Sequence, residues 1–266
     1  MNLVEALCLQ YEWGADEALL DAPQDRRVSA PPPSPQSQPM AAPAAAPTRL
    51  AVKQATLPAG PAEAAERAAA CQTLEELKAA LNAFTGCALR DTATQLVFAD
   101  GAEDAQLIIV GEAPGAEEDR AGRPFVGPAG QLLDRMLASI GLDRGKVRII
   151  NSVPWRPPGN RAPSESEIAI CLPFLHRHIA LVRPLGLLAL GAVATKTLLP
   201  EAGGSGIRRL RGTWRTAQIT GLEAPLPCLP SYHPAYLLRT PLAKSESWQD
   251  FLTLREWLET TIITKT

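Results

Sequence analysis

An aromatic ring, an amide and an imidazole lie in or directly after three short apolar runs of this 266-residue chain. Phe125 stands in a glycine-rich loop after LIIV, Asn151 in the run VRIINSV, and His233 directly after PCLPSY. A planar base could stack on Phe125, and Asn151 could present one donor and one acceptor to the edge of that base. His233 could stabilise negative charge that develops on the ring. These residue types suit the binding and activation of a planar, hydrogen-bonding ring.

The loop that holds Phe125 is GEAPGAEEDRAGRPFVGPAG, residues 111–130, with five glycines and three prolines. No helix interior or strand tolerates that composition. The loop lacks the G-K-[ST] ending of a P-loop, and the chain has no G-x-G-x-x-G, so a nucleotide cofactor has little support. Three histidines, two of them in a helical stretch, and no G-x-S-x-G elbow also disfavour zinc and acyl-transfer chemistry. The loop does carry a set of acids, namely Glu112, Glu117, Glu118 and Asp119.

Short apolar runs alternate with helical patterns through the rest of the chain. The runs at 107–110, 147–153, 185–191 and 227–232 show little period-2 alternation, which is typical of strands buried on both faces. We therefore predict an α/β fold, a three-layer α/β/α sandwich with a central, mostly parallel four-stranded sheet. Ligands bind at the carboxyl ends of strands in such sheets, so the unusual loops after the strands should form one site.

Composition divides the chain into three parts. Residues 1–22 predict a helical segment, residues 23–62 a Pro/Ala-rich disordered linker, and residues 63–266 the main domain. The first segment is either a docking peptide for a protein partner or a flap on the main domain. We expect no secretory leader and no membrane span, because no apolar run approaches ~20 residues. Five cysteines without CxxC spacing fit a reduced, cytoplasmic protein.

The charge of the chain is unevenly distributed. The formal net charge is −2, yet residues 120–215 hold 15 Lys and Arg against five Asp and Glu. A local basic excess of this kind is either a surface that attracts nucleic acid or an ordinary solvated face. Composition alone leaves both interpretations open.

Four motifs occur in a fixed order: GEAPGAEEDRAGRPFVGPAGQLLDRML, NSVPWRPPGNRAPSESEIAIC, GIRRLRGTW and HPAYLLR. Together they resemble the family 4 uracil-DNA glycosylases over roughly residues 73–260. The resemblance implies the uracil-DNA glycosylase-like fold and a monomer that acts on uracil-containing DNA in base excision repair. Such an enzyme flips uracil out of the stack, at a cost of a few kcal/mol, and hydrolyses its N-glycosidic bond to leave an abasic site.

The resemblance also assigns the residues of a base pocket. Phe125 would stack on the flipped uracil, and Asn151 would pair with its O4 and N3–H, a pattern that cytosine presents in reverse. Glu118 would lie near C5, where thymine carries its methyl group. Ala113 and Gly115 would line the same pocket.

Catalytic roles follow from the same resemblance. His233 would donate to O2 of the departing uracil, a contribution of ~3–4 kcal/mol for one oxyanion donor. Asn151 would hold the ring, and Glu112 is the candidate for positioning the water, because Ala113 stands where a related family carries an aspartate. The motifs contain no lysine for a Schiff base, so we expect no lyase activity. DNA would be held by Leu237 or Leu238 as a wedge and by basic side chains at phosphates, namely Arg208, Arg209, Arg211 and Arg239.

The chain departs from this family at the metal site. Family 4 enzymes hold an iron–sulfur cluster on four cysteines, and the corresponding positions here are Phe84, Cys87, Trp155 and Cys171. Neither Phe nor Trp can ligate iron, so we predict no cofactor, with an aromatic plug in its place and the two cysteines as buried neighbours. The alternative is an iron–sulfur cluster as in the family, rescued by a ligand such as Cys71.

Three other functions stay open at this point. The pocket could read uracil or abasic sites in DNA without cleavage, or it could belong to a glycosylase with another base preference, such as deaminated purines. Covalent capture of the sugar by a histidine in the basic loop is disfavoured, because Leu210 and Arg211 stand where that histidine would be required.

Overall fold

A computed structural model describes residues 60–202 and 204–263 of the chain. Its helices and strands follow each other in the order α1 Pro61–Ala70, α2 Leu74–Ala83, α3 Leu89–Thr92, β1 Asp100–Gly101, β2 Leu107–Gly111, α4 Ala116–Ala121, α5 Pro128–Ala138, β3 Arg148–Asn151, α6 Glu165–Val182, β4 Gly186–Leu190, α7 Gly191–Leu198, α8 Ile207–Leu210, β5 Arg215–Ala217, β6 Leu226–Ser231, α9 Pro234–Arg239 and α10 Lys244–Ile263. Two helix starts are capped by hydroxyl side chains. Thr73 accepts from the N–H of Glu76 before α2, and Ser164 with Glu167 forms a capping box at α6.

The sheet has the strand order β1-β3-β2-β4-β6-β5 in the described part of the chain. The four inner strands pair in parallel, in the order β3-β2-β4-β6. Two short edge strands run antiparallel to their neighbours, β1 beside β3 and β5 beside β6. Since the inner strands are parallel, their carboxyl ends lie at one edge of the sheet, and the loops that follow β2, β3 and β6 leave from that edge.

Helices cover both faces of the sheet, because successive residues of the central strands point to opposite sides. Leu107 and Ile109 of β2 pack in a core with residues of α5 and α10. Ile108 and Val110 pack on the other side with residues of α6 and α7. All five residues of β2 are buried, which explains why its sequence is continuously apolar.

A third core lies beside the sheet and is built from the first helices. Ala64 and Ala68 of α1, Leu77 and Leu81 of α2 and Phe174 of α6 belong to this cluster. Arg177 on α6 fastens the turn between α1 and α2, since its guanidinium donates twice to the carbonyl oxygen of Cys71. The α1–α2 region is thereby packed on α6, the helix that follows the loop after Asn151.

The predicted three-layer α/β class is confirmed, with one correction to its sheet. The four parallel strands are present within a few residues of their predicted places, but β1 and β5 bring the described sheet to six strands. These strands have two and three residues, too short to show a period in the sequence.

The described residues begin near the predicted boundary between the linker and the main domain. Helix α1 begins at Pro61, next to the predicted end of the linker at residue 62, and the linker itself stays a prediction. The predicted helical segment 1–22 and the rest of the linker, as far as residue 59, lie outside the described residues. In the described part, no helix has the length and apolar character to cross a membrane.

Candidate active site

A cavity of about 420 Å³ opens where the loops after β2, β3 and β6 meet. Its walls include Glu112 and Phe125 from the first loop, Asn151 from the end of β3, and His233 and Arg239 from the third loop and α9. The convergence predicted from the sequence is therefore present. The first two loops are joined at the strand ends, where the N–H of Ser152 donates to the carbonyl oxygen of Gly111 at 2.9 Å.

Phe125 sits in the cavity wall with an unusual backbone. Its φ of +55° lies in the left-handed region, which costs a residue other than glycine about 1–3 kcal/mol. The ring is 5% exposed and packs on the core of β2 and α5. It stacks with the ring of His233, with ring centroids 5.4 Å apart and an interplanar angle of 27°. Phe125 thus packs on the core and faces the cavity at once.

The carboxylate of Glu118 accepts hydrogen bonds from backbone N–H groups of the loop that contains Phe125. One carboxylate oxygen accepts from the N–H groups of Val126 and Gly127, both at 2.9 Å, and the other accepts from the N–H of Gly115 at 3.1 Å. Three hydrogen bonds to one carboxylate give the loop a fixed shape. Glu118 also lines the cavity, where the sequence analysis placed it.

Asn151 is the last residue of β3 and is 8% exposed. Its side-chain oxygen Oδ1 is buried and has no hydrogen-bond partner among the described residues. A buried acceptor without a partner costs roughly 1–3 kcal/mol, so its retention beside a cavity indicates a ligand donor. Gly111 allows the oxygen to lie there, since a Cβ at that position would be 2.4 Å from Oδ1 and 2.7 Å from the Phe125 ring.

His233 is the N-cap of α9 and is held in one tautomer. Its Nδ1 accepts from the N–H of Ala235 at 3.1 Å, which leaves the ring proton on Nε2. Burial lowers the pKa of His233 to about 4, with Arg239 acting in the same direction. The ring is therefore a neutral donor at neutral pH.

Glu112 begins the loop after β2 and is partly buried. Burial raises the pKa of its carboxyl group above the ordinary value, and the nearby Arg239 guanidinium opposes that rise. Ala113 and Gly115 follow it in the cavity wall. The predicted pocket residues are thus brought together: Glu112, Ala113, Gly115, Glu118, Phe125, Asn151 and His233.

The residues predicted to contact DNA separate into exposed and buried groups. Arg208, Arg209 and Arg239 are exposed. Arg211 instead pairs with the buried carboxylate of Asp250 at 2.5 Å and donates to a backbone oxygen, so its prediction as a phosphate contact is corrected to a structural ion pair.

Leu237 requires a second correction. It is 1% exposed and packs with Leu132 and Tyr232, whereas Leu238 is 41% exposed. The two neighbours point to different sides of α9, and a buried core leucine cannot enter a DNA stack. Of the two leucines considered from the sequence, Leu238 is the one available as a wedge.

The sequence analysis missed other cavity residues. Tyr236 from α9 and Asn160 and Arg161 from the RPPGNR loop also line the cavity. Arg161 is held by two hydrogen bonds to Glu167, at 2.7 and 2.9 Å. The signal that could have indicated them is the pair of arginines in RPPGNR, residues 156–161, in the loop that follows Asn151.

The four positions of the family's cluster site lie together in the third core. Phe84, Cys87, Trp155 and Cys171 are at most 2% exposed, and Phe84 packs edge-on against Phe174 with centroids 5.2 Å apart. Cys87 and Cys171 belong to the same buried cluster, and the Cys87 side chain together with burial raises the pKa of Cys171. The interpretation of these two cysteines as remnants of a lost cluster site stays a prediction.

This donor set does not fit an iron–sulfur cluster. Such clusters are held by about four protein ligands, usually thiolates, and here two of the four positions are buried aromatic side chains that cannot ligate iron. The rescue ligand considered above, Cys71, donates its thiol to the carbonyl oxygen of Arg67. Among the described residues no group of three or more His, Cys, Asp or Glu could hold a metal ion.

Comparison with known proteins shows a superfamily for this chain. The protein-family model described as "Uracil DNA glycosylase superfamily" matches residues 98–252 of this chain. The type-4 uracil-DNA glycosylase of Pyrobaculum aerophilum is 38% identical over 66% of this chain and 90% of its own length. Those of Sulfurisphaera tokodaii and Thermotoga maritima are 38% and 40% identical, over 69% and 58% of this chain and 84% and 78% of their own lengths.

Proposed function

The chain belongs to the uracil DNA glycosylase superfamily, and we propose that it flips uracil out of DNA and hydrolyses its N-glycosidic bond as a monofunctional glycosylase. The resemblance drawn from the motifs is confirmed at the family level. The relatives named type-4 uracil-DNA glycosylase support a hydrolase of DNA repair that acts on uracil-containing DNA. The roles of individual residues below are proposals argued from the geometry.

The observation that carries this function is the unpartnered oxygen of Asn151. N3–H of uracil supplies the missing donor, and the Asn151 amide N–H supplies a donor to O4. Cytosine has an acceptor at N3 and a donor at its 4-position, so it would leave the buried oxygen facing a lone pair. A site built to hydrogen-bond its substrate rejects an analogue that cannot complete the bonds.

Phe125 provides the stacking surface for the same ring. Its fixed backbone and buried position mean that little conformational freedom is lost when the base enters. Glu118 lies in the cavity wall and is held by three backbone N–H groups, so it cannot easily retreat. We assign it to the region of C5, where it limits the space for the methyl group of thymine.

The bond to be broken joins C1′ of the sugar to N1 of uracil. Its electron pair leaves with the base, and negative charge gathers on O2. The Nε2–H of neutral His233 donates a hydrogen bond to that oxygen, and a neutral donor stabilises the anion without first having to be charged. One such donor is worth roughly 10²–10³ in rate.

Water completes the reaction at C1′. The oxygen of water forms the new bond to the sugar, and one proton of that water must be released. The carboxylate of Glu112 lines the cavity and is our candidate to hold this water and accept a hydrogen bond from it. Ala113, the next residue, has no polar side chain to share this task.

DNA itself is held outside the cavity. The exposed guanidinium groups of Arg208, Arg209 and Arg239 are suited to phosphates. Leu238 is exposed on α9, the helix that follows His233, and we assign it to the space left by the flipped base.

The experiment is a cleavage assay on end-labelled DNA with one uracil opposite guanine, opposite adenine, or in a single strand. Alkali then cuts each abasic site, and His233→Ala and Asn151→Ala are compared with the wild type. Matched strands with cytosine or thymine at the same position test base choice. The expected result is cleavage at uracil alone, reduced by roughly 10²-fold or more in H233A.

Three outcomes would contradict the proposal or the roles it assigns. Tight, salt-sensitive binding without cleavage by the wild-type protein would indicate a reader of uracil or abasic sites. Cleavage at hypoxanthine or another deaminated purine in preference to uracil would indicate a different base preference. Unchanged rates in both variants would remove His233 and Asn151 from the mechanism.

A further inference from the structure

We propose that Arg144, which lies outside the cavity wall, is a positioning residue that holds Phe125 in its base-stacking conformation. Arg144 belongs to a 3-10 turn, Arg144–Lys146, between α5 and β3. The proposal concerns how the loop after β2 keeps its shape, and its functional part rests on the proposed removal of uracil.

Arg144 binds the backbone on both sides of the unusual residue. Its guanidinium donates to the carbonyl oxygen of Pro124 at 3.2 Å and to the carbonyl oxygen of Phe125 itself. Phe125 has φ of +55°, a conformation that its own side chain disfavours. External hydrogen bonds to this peptide are therefore what select the conformation.

Two carboxylates fix the guanidinium in turn. Asp100 of β1 accepts from Nη1 at 2.6 Å, and Asp134 of α5 accepts from Nε at 2.8 Å. Arg144 thus connects the loop to the edge of the sheet and to the helix that follows the loop. A guanidinium has five N–H donors in a rigid fork, and a lysine ammonium at this position could not reproduce all four contacts with the same geometry.

The opposite edge of the loop is held by Glu118, as described above. Glu118 accepts from the N–H groups of Val126 and Gly127, while Arg144 donates to the carbonyl groups of Pro124 and Phe125. The guanidinium of Arg144 therefore binds carbonyl groups of this loop segment, and the carboxylate of Glu118 binds the N–H groups that follow. The Phe125 ring between these two side chains is stacked with the ring of His233.

Packing leaves the Phe125 carbonyl little freedom to turn away from Arg144. Gly130, in the first turn of α5, lies so close that a Cβ there would be 1.6 Å from this oxygen. The oxygen is thus confined between a helix backbone and the guanidinium. Loss of the guanidinium leaves a partly buried carbonyl without its donor, and the loop must shift to find another.

The test is a double-mutant cycle on single-turnover cleavage of single-stranded uracil-DNA with enzyme in excess. R144Q, F125A and the combined variant are compared with wild type, and R135Q is the matched control because Arg135 is an exposed arginine on the adjacent α5. We expect R144Q to lower the cleavage rate by ten- to a hundredfold while its affinity for uracil-free DNA changes less than threefold. R135Q should change neither quantity.

The cycle separates positioning from general stabilisation. If Arg144 acts through Phe125, R144Q adds less than threefold to the loss already caused by F125A. Multiplicative losses, or an unchanged rate in R144Q, would overturn the proposal. If thermal melting shows that R144Q is not folded, R144K replaces it in the cycle. Lysine retains the positive charge but lacks the forked N–H donors of the guanidinium group.

The proposed function is tested separately, by the cleavage rates of the wild type and of R135Q. Cleavage of uracil-DNA by wild type and R135Q supports that function whatever R144Q does. No cleavage by wild type would refute the function, and the cycle would then be measured on the binding of free uracil. Non-additive losses of uracil binding would still support the role of Arg144, and additive losses would refute it.

Discussion

Replacing Gly111 by alanine probes the pocket with a single methyl group. Gly111 is the last residue of β2, and its backbone lies outside the left-handed region, so alanine is conformationally allowed there. The added Cβ would lie 2.4 Å from Oδ1 of Asn151 and 2.7 Å from the Phe125 ring. Ordinary contacts are ~3.5 Å, so the amide oxygen must retreat by about 1 Å and the ring by slightly less.

The expected loss follows from that displacement. A misplacement of about 1 Å in a site built for one geometry can cost ~10²-fold in rate. We therefore expect G111A to slow single-turnover removal of uracil by roughly a hundredfold. Overpacking costs typically 1–3 kcal/mol. For a domain of this size that corresponds to a melting temperature lower by about 3–10 °C.

The measurement is single-turnover cleavage with enzyme in excess, together with thermal melting. Gly60→Ala is the matched control, since Gly60 has an extended backbone and a Cβ there meets nothing within 4 Å. A folded G111A protein that cleaves uracil-DNA at the wild-type rate would refute the reasoning, because uracil could not then depend on the observed positions of Asn151 and Phe125.

Further predictions concern pH, strand opening and metal. Activity should fall as pH falls through the raised pKa of Glu112, because its carboxylate becomes protonated. Since Arg239 lowers the pKa of both Glu112 and His233, R239Q should move this loss of activity to higher pH. The measurement is the pH–rate profile of R239Q compared with that of the wild type. Leu238→Ala should slow cleavage of duplex uracil-DNA by about tenfold or more and leave single-stranded substrate nearly unaffected, because only the duplex requires a wedge. Protein purified without oxygen should contain only trace iron, and the double variant F84C/W155C should acquire iron after reconstitution, as measured by metal analysis and visible absorption.

Each of these has a contradicting result. An acid limb that stays in place in R239Q would mean that neither Glu112 nor His233 sets it. Equal losses on duplex and single strand in L238A would assign that leucine to the fold or to the pocket. About four irons per chain in the wild-type protein would show that the aromatic positions do not exclude a cluster.

Much of the site was predictable because it depends on short-range patterns. Continuous apolar runs identified the parallel strands, and loops that follow such strands meet at one edge whatever their sequence. Phe125, Asn151 and His233 could therefore be grouped without knowing a single distance. The two edge strands were missed because two or three residues carry no periodicity.

Other features depend on contacts between distant residues. Arg211 looks like its neighbours Arg208 and Arg209 in the sequence, but Asp250, 39 positions later, removes it from the surface. Leu237 and Leu238 are chemically identical, and only the rotation of α9 against Leu132 decides which one is buried. The left-handed backbone of Phe125 likewise depends on partners outside its own loop.

The core around Phe84 and Trp155 is packed with the chain's own side chains, and this affects what the cell must provide to produce active protein. We expect a chain whose interior is filled by its own side chains to mature without a delivered inorganic component. We therefore expect a cell that is short of iron, or exposed to agents that destroy iron–sulfur centres, to keep the proposed repair activity. Oxygen in the growth medium or during purification should not reduce it.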